Sequence, residues 1–226
     1  MRTTSKITLG LATASLLVAG LAGCSAPAST SNDSQSSAPT VAADPKPVAS
    51  IPALDGVDTA VTLDQGFVDA LTSLGLTPGV TGTATLVDGT LHFPITGGNV
   101  DYYDPAEDYR PYVQGEIDHA GSGITLTAGD TVVGLSDFVI DPGTSRLTGT
   151  VTANGAVVGE DVFIFNLDGS TLKPLAMDAD GNAVLEGTRV LISSDAAKLL
   201  NDTFKTDAVT DTLLVGIAKI TAKAAA

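Results

Sequence analysis

Hydrophobic and polar positions follow three successive patterns along the 226 residues. From Ile7 to Leu21 the chain is mostly apolar and uncharged, preceded by Arg2 and Lys6 and closed by Leu21-Ala22-Gly23-Cys24. A positive start, a short apolar core and a small-residue cleavage site make a secretory signal. The core is about 15 residues long, short of the ~20 that a membrane-spanning helix needs. Residues 25–50 show no period, are rich in Ser, Ala and Pro, and lack aromatics. Such a segment buries too little surface to offset its ordering entropy, which predicts a disordered tether. Its end-to-end distance is roughly 25–30 Å.

The third pattern runs from residue 51 to the end and is mainly of period two. It opens with one helical stretch over 63–74. Thr62 and Gln65 stand at capping-box spacing, Phe67, Leu71 and Leu74 share a face, and Gly75 supplies a stop. Segments 83–87 and 90–95 flank Asp88-Gly89, a strong hairpin signal. Leu91, Phe93 and Ile95 fall on one face of the second segment, and Thr90, His92 and Pro94 on the other. Gly97-Gly98 starts another turn. Further strands are predicted at 112–118, 123–128, 131–140, 146–153, 161–168, 171–177 and 182–192. Turns fall at Gly121-Ser122-Gly123, Ala128-Gly129-Asp130, Asp141-Pro142-Gly143, Asn154-Gly155 and Asp180-Gly181. A second helix over 194–204, capped by Ser194, buries Ala197, Leu200 and Phe204, and a last strand covers 211–222. Many short strands with turns every 8–12 residues predict a mainly β fold. The expected form is an antiparallel β-sandwich or partly closed barrel with two short helices.

Composition sharpens this division into a signal (1–23), a lipidated cysteine with its tether (24–50) and one domain (51–226). Cys24 is the only cysteine, so no intrachain disulfide supports the fold. Leu-Ala-Gly-Cys resembles the lipobox of bacterial lipoproteins, in which the cysteine thiol carries a diacylglycerol. That resemblance implies lipidation of Cys24, a membrane partner through the anchor, and export to the outer face of the cell membrane. Several acyl chains are needed for stable anchoring, since one alone is marginal. The formal net charge is −15, and losing Arg2 and Lys6 with the signal makes it −17. This excludes the basic footprint of a nucleic-acid binder. Trp is absent and aromatics make up 4% of the chain, so the core rests on Val, Leu, Ile, Ala and a few Phe.

Candidate chemistry is sparse. Gly-x-Ser-x-Gly, the phosphate-binding Gly-rich loop and His-Glu-x-x-His are all missing, and we expect no enzyme, no catalytic residues and no metal. The histidines are His92, mid-strand on the outer face, and His119, read as a strand-end residue before a Gly-Ser-Gly turn. Asp178, Asp180 and Asn182 have the i, i+2, i+4 spacing of a calcium loop. Ala183 and Arg189 stand where such a loop needs Gly and Glu, which leaves a hairpin turn. All four tyrosines (Tyr102, Tyr103, Tyr109, Tyr112) lie in Asp101–Tyr112 among four acids, two prolines and Arg110. This is either a contact loop presenting aromatics or a long β connection whose tyrosines pack on the sheet.

The order of short motifs resembles a known family. It runs Gln65-Gly-Phe67, Asp88-Gly-Thr-Leu-His-Phe-Pro-Ile-Thr-Gly-Gly98, Gly115-Glu-Ile-Asp-His-Ala-Gly121, Leu135-Ser-Asp-Phe-Val-Ile-Asp141, Leu147-Thr-Gly-Thr-Val151 and Phe165-Asn-Leu-Asp168. This resembles the HtaA-type (haem-transport-associated) surface domains of bacteria and their non-haem look-alikes, over about 60–220. The resemblance implies a β-sandwich-like domain displayed on the envelope. In haem-binding members a tyrosine in a Phe-x-x-Tyr setting on the first helix ligates the iron, and a later histidine assists. Here Phe67-Val-Asp-Ala70 occupies that setting. Ala70 replaces the ligand, and His119 stands near the assisting position. Losing the axial ligand removes the protein's main hold on haem iron. The expectation is a lipid-anchored binding or interaction protein without catalysis and without a cofactor. Its partner would be an envelope protein or a small apolar ligand. The alternative is haem capture for iron acquisition through Tyr102, Tyr103, Tyr109 or Tyr112 with His119.

Overall fold

The computed structural model describes residues 45–225. The signal, Cys24 and most of the tether lie outside the described residues. Backbone pairing begins with Val48 N–H on the Tyr102 carbonyl at 2.8 Å, slightly ahead of the expected boundary at 51.

Thirteen strands and two helices follow. In chain order they are β1 (Ala49–Ile51), β2 (Leu54–Leu63), α1 (Gln65–Ser73), β3 (Thr77–Gly82), β4 (Thr85–Val87), β5 (Thr90–Pro94), β6 (Gly97–Tyr102), β7 (Val113–Ala128), β8 (Thr131–Asp141), β9 (Arg146–Ala153), β10 (Ala156–Asp168), β11 (Ala176–Met177), β12 (Ala183–Ile192), α2 (Ser194–Phe204) and β13 (Leu214–Ala224), with a 3-10 turn at Gly169–Thr171. All pair antiparallel in one sheet, ordered β1-β6-β7-β8-β9-β10-β12-β13-β2-β5-β4, with β11 on β12 and β3 on β7. The sheet curls on itself without closing into a barrel. This is the mainly β, sandwich-like class that the alternation predicts.

Several local expectations change. The predicted turn at Gly121-Ser122-Gly123 is a bulge inside one 16-residue strand, β7. Ile117 and His119 point inward before it, and Ile124 and Leu126 after it, so the inward positions switch from odd to even. The extra residues of a bulge make that switch without ending the strand. Gly121 takes φ +73° there, a backbone conformation that costs glycine little. The exposed amides of the bulge are used, with Ala120 N–H on Thr96 Oγ1 at 2.9 Å and Gly121 N–H on Asp137 Oδ1 at 2.8 Å. Strand β8 makes the matching switch between Leu135 and Phe138.

Asp64, not Thr62, caps α1, its carboxylate accepting from Gly66 N–H at 2.8 Å. Thr62 belongs to β2, and Gln65 donates to Asp69 instead. Ser193, not Ser194, caps α2 by accepting from Ala196 N–H. Gly97-Gly98 begins β6 rather than a turn, and the strand expected over 171–177 shrinks to Ala176–Met177. Strands β2 and β3 carry no element in the sequence reading. The Asp88-Gly89 hairpin forms as expected, with φ of 48° and 76°, the left-handed pair that such a turn requires.

Phe67 and Leu71 of α1, and Ala196, Ala197 and Leu200 of α2, pack against the inner face of the sheet. Among the described residues no helix is long and apolar enough to cross a membrane.

Candidate functional site

The curl brings β7 opposite β2, six places away along the sheet. His119 Nε2 and Thr59 Oγ1 meet across this gap at 2.8 Å. Both belong to the wall of an interior chamber of about 280 Å³. That volume is near the lower end of the roughly 300–1,000 Å³ of small-molecule sites. Its wall is made by inward side chains of the curled sheet, among them Ile51, Leu91, Phe93, Ile117, Phe138, Phe165, Val190 and Val215. Alanines on the later strands (Ala183, Ala218, Ala222) leave the space between them. Among the described residues no Lys, Arg, Asp or Glu lines it. The polar groups on the wall are His119, Thr59, Thr188, Ser145, Ser170 and the hydroxyls of Tyr102 and Tyr112.

Exposure grades along this wall. Ser145, Gly169 and Ser170 are exposed, Tyr112, Pro142, Leu172 and Leu175 are half-buried, and Thr59, Ile117 and His119 are buried. The chamber therefore has a mouth beside the 3-10 turn and a floor at the His119–Thr59 pair.

His119 is the group that the sequence places least well. It is not a strand-end residue but a core residue just before the β7 bulge, 1% exposed. Phe93 packs edge-on to its ring at 6.4 Å. Burial pushes its pKa down from 6.5 to about 4, while the Phe138 carbonyl and Asp58 pull upward. The ring is therefore neutral at physiological pH. Nδ1 lies within the field of the Phe138 carbonyl but has no partner at hydrogen-bond geometry. His92 sits on the outer face, as its alternation predicts, with Nδ1 2.5 Å from Asp58 Oδ2.

The tyrosines divide into two pairs. Tyr102 and Tyr112 line the chamber and meet edge to face at 5.9 Å. Tyr103 and Tyr109 pack on each other at 4.6 Å, away from the chamber wall. Burial, and then the neighbouring Tyr102, raise the Tyr112 phenol above its ordinary pKa, with Arg110 opposing. Arg110 also ties the loop together by donating to the Pro105, Glu107 and Tyr109 carbonyls. None of the four rings is fully exposed.

Ala70, expected from the sequence to stand where the resembled family carries its haem ligand, borders a different space. This crevice, between the two helices and the sheet, is about 30 Å³ and is shared with Phe67, Leu71, Leu74, Leu199 and Leu200. It has room for a water or two. A methyl group has no lone pair for iron and the crevice has no room for a macrocycle, so haem does not fit there. Among the described residues no three His, Cys, Asp or Glu side chains are placed to hold a metal ion. Asp178 instead closes its own turn, accepting from the Asp180 and Asn182 amides and from Asn182 Nδ2.

These features define a class: a curled, open antiparallel sheet, plugged by two helices on one side and enclosing an apolar chamber on the other. Among solved structures the chain is similar to the C-terminal domain of HtaA from Corynebacterium glutamicum. The TM-score is 0.51 at 15% identity, over 76% of this chain and 97% of that one. A domain-swapped dimer of a histidine-to-alanine variant of the same domain also matches, with TM-score 0.44 and 16% identity over 69% and 90% of the two chains. No protein-family model and no curated protein matches the chain. The fold is HtaA-like.

Proposed function

We propose that this is a non-catalytic protein of the cell envelope, anchored by lipid on Cys24, whose folded domain holds a small apolar ligand in the chamber. The carrying observation is the chamber itself: about 280 Å³, walled by aliphatic and aromatic side chains, with no Lys, Arg, Asp or Glu among the described residues on its lining. The domain is strongly acidic, yet its acids lie outside this space. Taking apolar surface out of water is the available driving force, at roughly 25 cal/mol per Å² buried.

The test is titration of the purified mature chain, carrying Cys24→Ser to avoid acylation, with Nile red. A saturable rise in fluorescence, lost on filling the chamber with Ala218→Phe, is expected. A flat titration would remove this reading. Metabolic labelling with palmitate tests the anchor: label on the natural chain and none on Cys24→Ser is expected, and label on neither removes it.

A second reading rests on a specific placement, since Tyr102, Tyr112 and His119 share one wall and phenolate and imidazole both ligate haem iron. Against it stand the raised phenol of Tyr112 and a chamber lining that, among the described residues, holds no Lys or Arg. A haem titration read at the Soret band decides it, beside a variant with Tyr102, Tyr103, Tyr109 and Tyr112 all changed to Phe. A sharp saturable band lost in the variant supports haem capture, and a flat titration excludes it.

A further inference from the structure

The floor of the chamber carries more information than its apolar walls. A chamber built only for hydrocarbon would be lined by hydrocarbon throughout, because a buried ring nitrogen without a partner is destabilising. Here the floor holds an imidazole that is 1% exposed, with one nitrogen on Thr59 Oγ1 and the other lacking a partner at hydrogen-bond geometry. The β7 bulge sets the inward phase that puts His119 there, and Ala120 and Gly121 have dedicated acceptors that hold the bulge.

We propose that the chamber binds a single-chain amphiphile head first, with a hydroxyl group on its head hydrogen-bonded to His119 Nδ1 at the floor and its alkyl chain running toward the mouth at Ser145 and Ser170. This rests on the chamber being a ligand site and adds which chemical class it selects. The head is uncharged because the wall offers no cation to an ionised carboxylate or phosphate, and burying an unpaired ion is costly. It carries a hydroxyl because an O–H both donates and accepts. It satisfies Nδ1 whichever nitrogen of the ring holds the proton. An alcohol and an undissociated carboxylic acid share this group, whereas an alkane, an ether and a quaternary ammonium do not.

The experiment is competition against Nile red on the mature chain by decanol, decanoic acid and decane. It is run on the natural sequence (Cys24→Ser background) and on His119→Phe, which keeps a ring of similar size without polar atoms. Decanol should displace the dye at roughly threefold to tenfold lower concentration than decane, as one added hydrogen bond provides, and decanoic acid should do so only at a pH low enough to leave it undissociated. That preference should vanish in His119→Phe, where decanol and decane should displace the dye at the same concentration. The better of the two competitors identifies the source of the hydroxyl. The second readout needs no variant: the His119 Nδ1 nitrogen resonance should move on saturation with decanol and stay in place with decane. Equal competition by all three ligands, or an unmoved resonance, overturns the proposal and leaves the chamber as a purely apolar site. Failure of Nile red itself to bind would overturn the chamber as a site altogether.

Discussion

Two spaces lie against the inner face of one sheet, and both are walled by the same kinds of residue. Ile124 and Phe165 border each of them. In the first, two helices lay down a second layer of long side chains (Phe67, Leu71, Leu74, Leu199, Leu200), and only about 30 Å³ stays empty. In the second, the sheet faces itself across its own curl. The opposing layer there includes Ala183, Ala218, Ala222 and Thr59, and about 280 Å³ stays open. An interior is normally packed to the density of an organic crystal, so the second space is the departure to be explained. Alternation decides which face turns inward, and the size of the facing residues decides whether that interior is core or chamber.

The largest effect should come from thinning the filled half. Ile164 is 0% exposed and borders the crevice. Ile164→Ala should cost about 2–5 kcal/mol, read from the urea midpoint. Ile220→Ala, on a half-buried residue of the chamber wall, should cost well under ~2 kcal/mol, since part of its surroundings is already empty. Equal costs would mean that the two halves are packed alike.

Next comes the buried imidazole. With a folded pKa near 4 against 6.5 unfolded, the unfolded ring takes its proton first as pH falls. The stabilisation is present in full above pH 6.5 and is lost progressively toward pH 4, to a total of about 3 kcal/mol. Asp168, held low first by the Ser170 amide, and Glu186, held low by Lys173, lose their contributions only as pH drops through the carboxylate range. The loss of urea midpoint between pH 7 and pH 5 that is present in the natural chain and absent from His119→Phe is therefore the contribution of His119. A natural protein equally stable at both values would show that the ring is solvated.

A pair of additions probes the same contrast at about 1–3 kcal/mol. Ala70→Tyr adds a bulky phenol where only about 30 Å³ is free. It should destabilise by that amount and confer no Soret band. Ala218→Leu adds a smaller group to the open half. It should leave the urea midpoint within ~1 kcal/mol of the natural chain while weakening dye uptake. If Ala70→Tyr is accommodated without cost and binds haem, the crevice is a latent pocket.

What the sequence made legible follows from the same division. The Asp88-Gly89 hairpin, Ala197 and Leu200 of the α2 stripe and the inward set Leu91, Phe93, Ile95 are local patterns, and they appear where they were expected, while Phe204 is only half-buried and Ala196 is buried in its place. Strand β2 was hidden because Asp55, Gly56 and Asp58 dilute its apolar alternation, while its pairing with β13 is settled by residues some 160 positions away. Gly121-Ser122-Gly123 looks like a turn because the alternation changes phase there. A bulge produces the same change of phase, and only pairing with β8 and the β6–β3 side tells them apart. The chamber was illegible for a related reason. Thr59 and His119 are 60 residues apart, and nothing near either announces that the curl will bring them together.

The smallest expected effect separates inside from outside on one strand pair. Thr59 turns inward from β2 to His119, whereas its neighbour Asp58 turns outward to His92 on β5. The Asp58–His92 contact is partly open to water, with side chains 26% and 37% exposed, and pairs of this kind contribute about 0–1 kcal/mol. His92→Gln should shift the urea midpoint by no more than that and leave dye uptake and the decanol preference unchanged, because the sheet separates this ring from the chamber. A loss of uptake in His92→Gln would show that the outer face of β2 and β5 controls the inner one. The two histidines would then have to be treated as one site acting through the strand they share as a neighbour.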